Sequence, residues 1–328
     1  MNFSKLLNDE NQKKMYDKTK DIFLNLKNNY FLRNIFSDLP EMKALEIVKY
    51  NKYLKQRLNL DINNYKDFSE KYSSIVLEII PNNTKDSKFI NINNKEDESF
   101  FHIFFDDKRE EVKKCFLNED DKVTKITIKI DYKINSFSKL FKKCNQIESI
   151  SFKKFCRNNI LNMSRMFCGC SFLKEINFSN FNTENVTDME FMFHECTSLK
   201  ELDLSIFKTE NVKYMDSMFY ECSSLKKINI SNFNTVNVIS MQCMFHNCSS
   251  LEKLNLNNFN TDKVKYFNHM FENCLSLKEI NVSNFNLENA CYCYSMFNGC
   301  PEDIKIKVKS QIKNIEKDAF LSREELGF

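Results

Sequence analysis

Over residues 144–300 the apolar positions of the chain recur on one grid. Cys144, Cys170, Cys196, Cys222, Cys248, Cys274 and Cys300 follow one another at intervals of 26 residues. Between two of these cysteines the same positions are apolar each time, as in Leu173, Ile176, Phe178, Phe181, Val186, Met189, Met192 and Phe193 ahead of Cys196. The unit reads C-x-x-L-x-x-I-x-[LIFV]-x-x-F-(x)4-V-x-x-M-x-x-M-F-x-x-C. A fixed period of this length marks a stack of like units, each burying its apolar face only against its neighbours. Inside the unit, Ile176 and Phe178 share one face of a short strand, because strand side chains alternate with period two. Val186, Met189, Met192 and Phe193 then recur at threes and fours, which predicts a short helical segment or tight 3₁₀ turns. Residues 179–185 between them are short polar side chains that bond to nearby backbone and hold turns. Each coil is expected to run strand, turn, short helical segment, return.

The flanks extend this pattern and then leave it. Val123, Ile126 and Ile128 repeat the strand spacing, and Ile134, Phe137, Leu140 and Phe141 the helical one, with a shorter connection between them. The repeat region is therefore expected over residues 123–300, as one partial and six full units, since end repeats are atypical. Beyond Pro301, Ile304, Ile306 and Val308 alternate as one last strand. Residues 310–326 then place Ile312, Ile315, Ala319 and Phe320 on one face, giving a cap over residues 301–328 that covers the open end. Residues 1–60 read as helical, with Ile35, Phe36, Leu39, Met42, Leu45, Val48, Leu54 and Leu58 apolar and Pro40 starting a new helix. Residues 61–122 carry β-rich runs at 74–80, 89–92 and 100–105 and a charged stretch at 107–117. They form either a small α+β module or a divergent extension of the sheet.

Composition narrows the function classes. Forty-eight basic and 45 acidic residues leave a net charge of +3, too balanced for a dedicated nucleic-acid surface. Three Gly, three Pro and no Trp stand beside 32 Phe, so the core is expected to be built by aromatic stacking rather than glycine-dependent turns. Two Phe columns, Phe141 to Phe297 and Phe155 to Phe285, should form continuous buried spines at about the 4.8 Å strand spacing. Residues 1–20 lack the apolar core of a signal peptide, and no stretch is long and apolar enough for a membrane span. A cytoplasmic protein with reduced thiols is the expectation, because the seven ladder cysteines, of thirteen in all, are an odd set on one buried column.

Candidate chemistry is sparse. His194-x-Cys196, His246-x-Cys248, Cys168-x-Cys170 and Cys291-x-Cys293 have ligand-like spacing, but structural zinc needs four convergent ligands and His194 and His246 lie two coils apart. No metal and no cofactor are expected. Cys156 and Cys243 have no histidine at a diagnostic distance, Glu119, Asp120 and Asp121 form a solvated run, and no glycine-rich phosphate loop exists. The reading is of a chain that is not an enzyme.

The strand core L-x-x-I-x-I, the closing M-F-x-x-C and the link N-F-N-T-x-N-V-x-x-M-x-x-M-F resemble the BspA-like class of leucine-rich repeats. The likeness is to the 26-residue version found in bacterial lipoproteins and protist surface proteins. It implies an α/β fold: a curved right-handed solenoid with a parallel sheet along one side, here preceded by the helical and α+β region. It also implies protein binding and no catalytic residues. A second, shorter stretch, Ile35-Phe36-Ser37-Asp38-Leu39-Pro40 with Leu45, Val48, Asn51 and Lys52, resembles part of an F-box, although Tyr53 stands where that motif has Trp. This likeness implies docking of residues 30–58 on a Skp1-type adaptor; a helical hairpin is the alternative. Three functions follow in order: a non-catalytic interaction scaffold, a substrate-recognition subunit of a ubiquitin ligase, and a surface adhesin.

Two faces could bind a partner. On the concave sheet, one outward column reads Glu175, Glu201, Lys227, Lys253, Glu279 and the next Asn177, Asp203, Asn229, Asn255, Asn281, a polar carpet with one charge column. On the helical side, variation concentrates in a column through Tyr220 and another through Tyr214. Glu201, Asp203, Lys227, Lys253, Tyr214 and Tyr220 are the candidate contact residues.

Overall fold

A computed structural model describes residues 29, 32, 52–59, 72–82, 87–92, 94–118 and 120–327. The chain divides into two compact units, residues 1–72 and 73–328. In the first, α1 (Lys52–Leu58) buries Leu54, and Arg57 Nε donates to Asn29 Oδ1 at 2.7 Å. The remainder of the expected N-terminal helices, and the F-box-like stretch up to residue 51, lie outside the described residues.

The second unit is mixed α/β, mostly sheet with few helices, and its sheets stay open. It begins with β1 (Ile75–Pro81), β2 (Ser87–Lys88), a 3₁₀ turn at Lys95–Phe100, β3 (Phe101–Phe105), β4 (Phe116–Leu117), β5 (Ile126–Ile130) and β6 (Ile147–Lys154), then β7 (Glu175–Asn177). Five of these form one sheet in the order β3-β5-β1-β6-β7. β1 runs antiparallel to both β5 and β6, whereas β6 and β7 are parallel. Residues 75–81 thus share a sheet with the first coils, and a boundary at 122/123 falls inside that sheet.

The strand at Ile126–Ile130 corrects one expectation. Its buried alternation, Ile126, Ile128 and Ile130, matches a coil strand, but it pairs antiparallel with β1 and β3 instead of leading the parallel stack. Alternation fixes which face is buried and leaves the pairing partner open. That edge of β6 is taken by β1, whose Ile75, Leu77 and Ile79 are fully buried. The other half of the partial unit does stack: Phe137, Lys139 and Phe141 donate their N–H groups to the carbonyls of Asn162, Ser164 and Met166 at 2.9, 3.0 and 2.9 Å.

From β6 onward each coil lies on the next in a register of one period. β8 (Glu201–Asp203) pairs in parallel with β9 (Lys227–Asn229), and β10 (Lys253–Asn255) with β11 (Glu279–Asn281). On the opposite side, single parallel bridges join Ser136 to Asn162, then Asp188, Tyr214, Ser240, Tyr266 and Tyr292 in turn.

The segment expected to be helical is not a helix. In the coil ending at Cys196, the N–H groups of Met189, Phe191, Phe193 and Glu195 donate to Tyr214, Asp216, Met218 and Tyr220 of the following coil, at 3.2, 2.9, 2.9 and 2.7 Å. The intervening Met192, His194 and Cys196 donate three residues back. Phe191 and Glu195 sit in the left-handed region at φ 56° and 58°, as do the equivalent residues of every coil. A left-handed residue breaks a helical ladder at a cost of roughly 1–2 kcal/mol, and here it turns alternate N–H groups toward the neighbouring coil. The spacing of three was correct for the turns, since i−3 hydrogen bonds are made. Periodicity does not reveal the sign of φ. Few glycines are needed, because the inter-coil bonds hold non-glycine residues in this conformation; Gly169 and Gly299 occupy it in two coils.

Side chains make the same inter-coil connection. Thr183, Thr209, Thr235 and Thr261 are buried, and each hydroxyl both donates to and accepts from the backbone of one residue of the next coil, as Thr235 does with Asn260 at 2.7 and 2.8 Å. Asn185, Asn211 and Asn237 each donate to a carbonyl of the preceding coil at 2.8 Å. These contacts satisfy backbone groups that the short strands leave unpaired. The first Phe column is continuous, with centroids 5.1–5.9 Å apart from Phe141 through Phe297 to Phe320. The second stacks over Phe181 and Phe207 and again over Phe233 and Phe259.

All thirteen cysteines are free. From Cys170 to Cys300 each ladder thiol donates to the Phe carbonyl 29 residues earlier, as Cys222 does to Phe193 at 3.1 Å. Burial pushes the Cys170, Cys222 and Cys300 thiols up to about 12. A thiol so protonated is a poor nucleophile. Iodoacetamide added to the native chain should label exposed Cys156 and Cys291 first and reach the ladder only after unfolding. Peptide mass spectrometry reads this directly, and ladder labelling at the rate of Cys156 would contradict the packing.

The last strand expected at Ile304 to Val308 is α2 (Glu302–Gln311). Ile304 and Val308, four apart, are buried while Ile306 is 63% exposed, the pattern of a helix face and not of a strand. Pro301 precedes it, and acidic Glu302 and Asp303 at its start with Lys309 in its last turn suit the helix dipole. Gln311 Oε1 then accepts the Val282 N–H at 2.9 Å, closing the edge of the last coil. After α2, Asp318 and Ala319 accept the N–H groups of Ser295 and Phe297 at 2.8 and 2.7 Å, and Phe320 stacks on Phe297.

Candidate functional site

The strand face holds an open groove of about 600 Å³ over the first coils, lined among others by Ser149, Glu175, Asn177, Glu201, Asp203 and Ile206. Along the strand face, ion pairs link charged side chains of neighbouring coils. Lys227 Nζ lies 3.0 Å from Glu201 Oε1, and Lys253 Nζ lies 3.0 Å from Glu279 Oε2. Such exposed pairs contribute about 0–1 kcal/mol, so a partner could break them at little cost. The polar column beside them has a structural task. Asn177, Asp203, Asn229, Asn255 and Asn281 each accept, through Oδ1, the backbone N–H two residues on, at 2.9–3.2 Å. These side chains end each strand in a turn. The Ser205 N–H and hydroxyl hold the Asp203 carboxyl below its usual range.

The turn face differs in kind. Tyr214, Tyr266 and Tyr292 occupy one bridge column and are 42%, 37% and 54% exposed. The Tyr266 and Tyr292 rings stack at 5.8 Å. Tyr220 is placed otherwise: its ring is sandwiched between His194 at 4.6 Å and His246 at 4.7 Å. Of the two tyrosine candidates, Tyr214 alone presents an open ring. The structure brings Glu201 together with Lys227, and it leaves Lys253 and Tyr214 on opposite sides of the coils.

One cluster was missed by sequence reasoning. His246, His269 and Glu272 offer three ligating atoms that all lie within 4.8 Å of one another. Glu272 Oε2 is 3.3 Å from His246 Nδ1 and 2.5 Å from His269 Nδ1, and Asn298 Nδ2 donates to Oε1 at 2.8 Å. Burial alone would raise the Glu272 carboxyl; the contacts with His246, His269 and Asn298 outweigh it and hold it far below the carboxylate range. The signal was available in the period, because His246 and Glu272 differ by one repeat and His269 is three residues before Glu272.

Residues 135–229 and 227–311 match the family model described as Mycoplasma protein of unknown function, DUF285. The chain belongs to that family. The two matches meet at β9 and together span more than half of the 328 residues. No curated protein and no solved structure matches the chain. Among the described residues of this DUF285 protein, no helix is long and apolar enough to cross a membrane.

Proposed function

We propose that this DUF285 chain is a non-catalytic protein-interaction scaffold whose stacked coils form a right-handed, leucine-rich-repeat-like solenoid of the BspA-like class. The observation that carries the reading is the row of open tyrosines, Tyr214, Tyr266 and Tyr292, held on a rigid ladder of inter-coil bonds. Interface centres are enriched in Tyr and depleted in Lys, Glu and Ser. The strand face presents those depleted types, with Lys227 and Lys253 already paired to Glu201 and Glu279. A stack of coils also supplies the extended surface that repeat proteins use to hold partners. Free, protonated ladder thiols favour a reducing compartment, the cytoplasm.

The test compares two baits of the full chain. One carries Tyr214→Ser, Tyr266→Ser and Tyr292→Ser, and the other Lys227→Glu and Lys253→Glu, each with unchanged melting. Affinity purification with quantitative mass spectrometry should show a specific partner lost from the tyrosine bait and kept by the lysine bait. Loss from the lysine bait alone moves the site to the strand face. Retention by both removes the middle coils from the interaction.

A further inference from the structure

We propose that His246, His269 and Glu272 form a site for one divalent transition-metal ion of the zinc class on the turn face. Two imidazoles and one carboxylate are a donor set that zinc accepts, with a fourth position left for water. Around a tetrahedral zinc, with bonds of about 2.0–2.2 Å, neighbouring donor atoms stand about 3.4 Å apart. His246 Nδ1 and Glu272 Oε2 already stand at 3.3 Å, and all three donors lie within 4.8 Å. Shifts on the order of 1 Å complete the set, with His269 and Glu272 buried and the half-buried His246 on the side open to solvent.

Hydrogen bonding alone accounts poorly for the arrangement. Both Nδ1 atoms face the same oxygen, Glu272 Oε2, yet His246 Nδ1 is buried and no group among the described residues is aligned to hydrogen-bond with it. A buried, unpaired ring nitrogen beside a carboxylate costs stability unless something shares it. His194 provides an internal comparison. It occupies the same column, stacks on the same Tyr220 and also has a buried, unpaired Nδ1, but its near carboxylate is Glu195 at 3.6 Å and no second histidine converges there.

Arg323 is built into the same site. Its Nη2 lies 3.2 Å from His269 Nε2, so Nε2 accepts from the guanidinium and the ring proton sits on Nδ1, toward Glu272. A metal on Nδ1 requires the other tautomer: the single ring proton leaves Nδ1 for solvent, a proton is taken up from solvent at Nε2 so that the ring stays neutral, and the new Nε2–H faces the guanidinium, itself a donor. Metal and Arg323 therefore compete for His269, and metal binding should release Arg323. An acceptor in its place would orient the ligating ring as outer-shell partners of metal-bound histidines do, an effect worth roughly tenfold or more in affinity.

The experiment uses the full chain, reduced and stripped of metal, with Zn²⁺ alone as titrant and Co²⁺ as spectroscopic substitute. Wild type and His194→Gln should retain one Zn²⁺ per chain after dialysis and melt higher with it. His246→Gln and Glu272→Gln should bind at least roughly tenfold more weakly, and Arg323→Gln more tightly. The Co²⁺ complex should lack thiolate charge-transfer absorption, which tests the donor set in wild type even if a variant fails to fold. Retention of no Zn²⁺ by wild type, retention unchanged in folded His246→Gln, or a thiolate band in the Co²⁺ spectrum would each overturn the proposal.

Discussion

Phe219→Ala should destabilise the chain by about 3–5 kcal/mol, the range for deleting a buried aromatic ring and leaving its cavity. Phe219 has no exposed surface, and its ring lies between Phe193 at 5.7 Å and Phe245 at 5.2 Å, nearly parallel to both. The cost belongs at the upper end because the cavity cannot close. Phe193 N–H is held by the Met218 carbonyl and Phe219 N–H by the Met244 carbonyl, both at 2.9 Å, so the coils on either side are pinned at their spacing. Phe320, which ends the column and is only half buried, should cost much less when cut to alanine, since it loses one ring contact and not two. Denaturant unfolding of the two variants reads the difference. Equal costs would mean that the column is not a continuous spine.

The stacking order was legible because one number, the period, fixes it. Once Cys170 lies on Cys196, every other residue has its neighbour assigned, and the Phe column, the Thr and Asn columns and the parallel register of Glu201 with Lys227 all follow. What the period could not carry was local backbone sign and pairing partner. Met189, Met192 and Phe193 at spacings of three and four look helical, and only the left-handed φ of Phe191 and Glu195 turns the segment into a ladder. Ile126 and Ile128 imitate a coil strand, but the competing β1, outside the repeat, takes the edge of β6. Ile304, Ile306 and Val308 alternate, yet Pro301 and the acidic first turn favour a helix that buries two of the three. The His246–Glu272 contact follows from the period; the contribution of His269 depends on the turn that the periodicity misread. The candidate contact residues were named by column without knowing which are already bonded, and for that reason Asp203 and Tyr220 looked as open as Tyr214.

Deleting residues 197–222 should leave a soluble, folded chain, while deleting residues 197–209 should not. The first removes one 26-residue period, so Cys196 is followed by Ser223 as Cys222 is now, and every inter-coil contact finds a substitute of the same kind. Thr183, which now bonds the backbone N–H and carbonyl of Lys208, would meet those of Asn234, to which Thr209 already bonds. Cys248 would donate to the Phe193 carbonyl in place of Phe219, and Phe193 would stack on Phe245. Lys227 would stand beside Glu175 instead of Glu201, keeping opposite charges adjacent. In a stack whose stability is a sum of units and nearest-neighbour interfaces, the loss is one of each, and cooperative melting survives. The half-period deletion puts Glu210 directly after Cys196 and aligns the turn half of one coil with the strand half of the next. Phe, Thr and Cys columns then all fall out of register, and buried N–H and carbonyl groups lose their partners at about 1–3 kcal/mol each, which exceeds the stability of an ordinary domain after only a few. Circular dichroism, melting and size exclusion separate the outcomes: a whole-period deletion that aggregates, or a half-period deletion that melts like the parent chain, would show that the 26-residue coil is not the unit of folding.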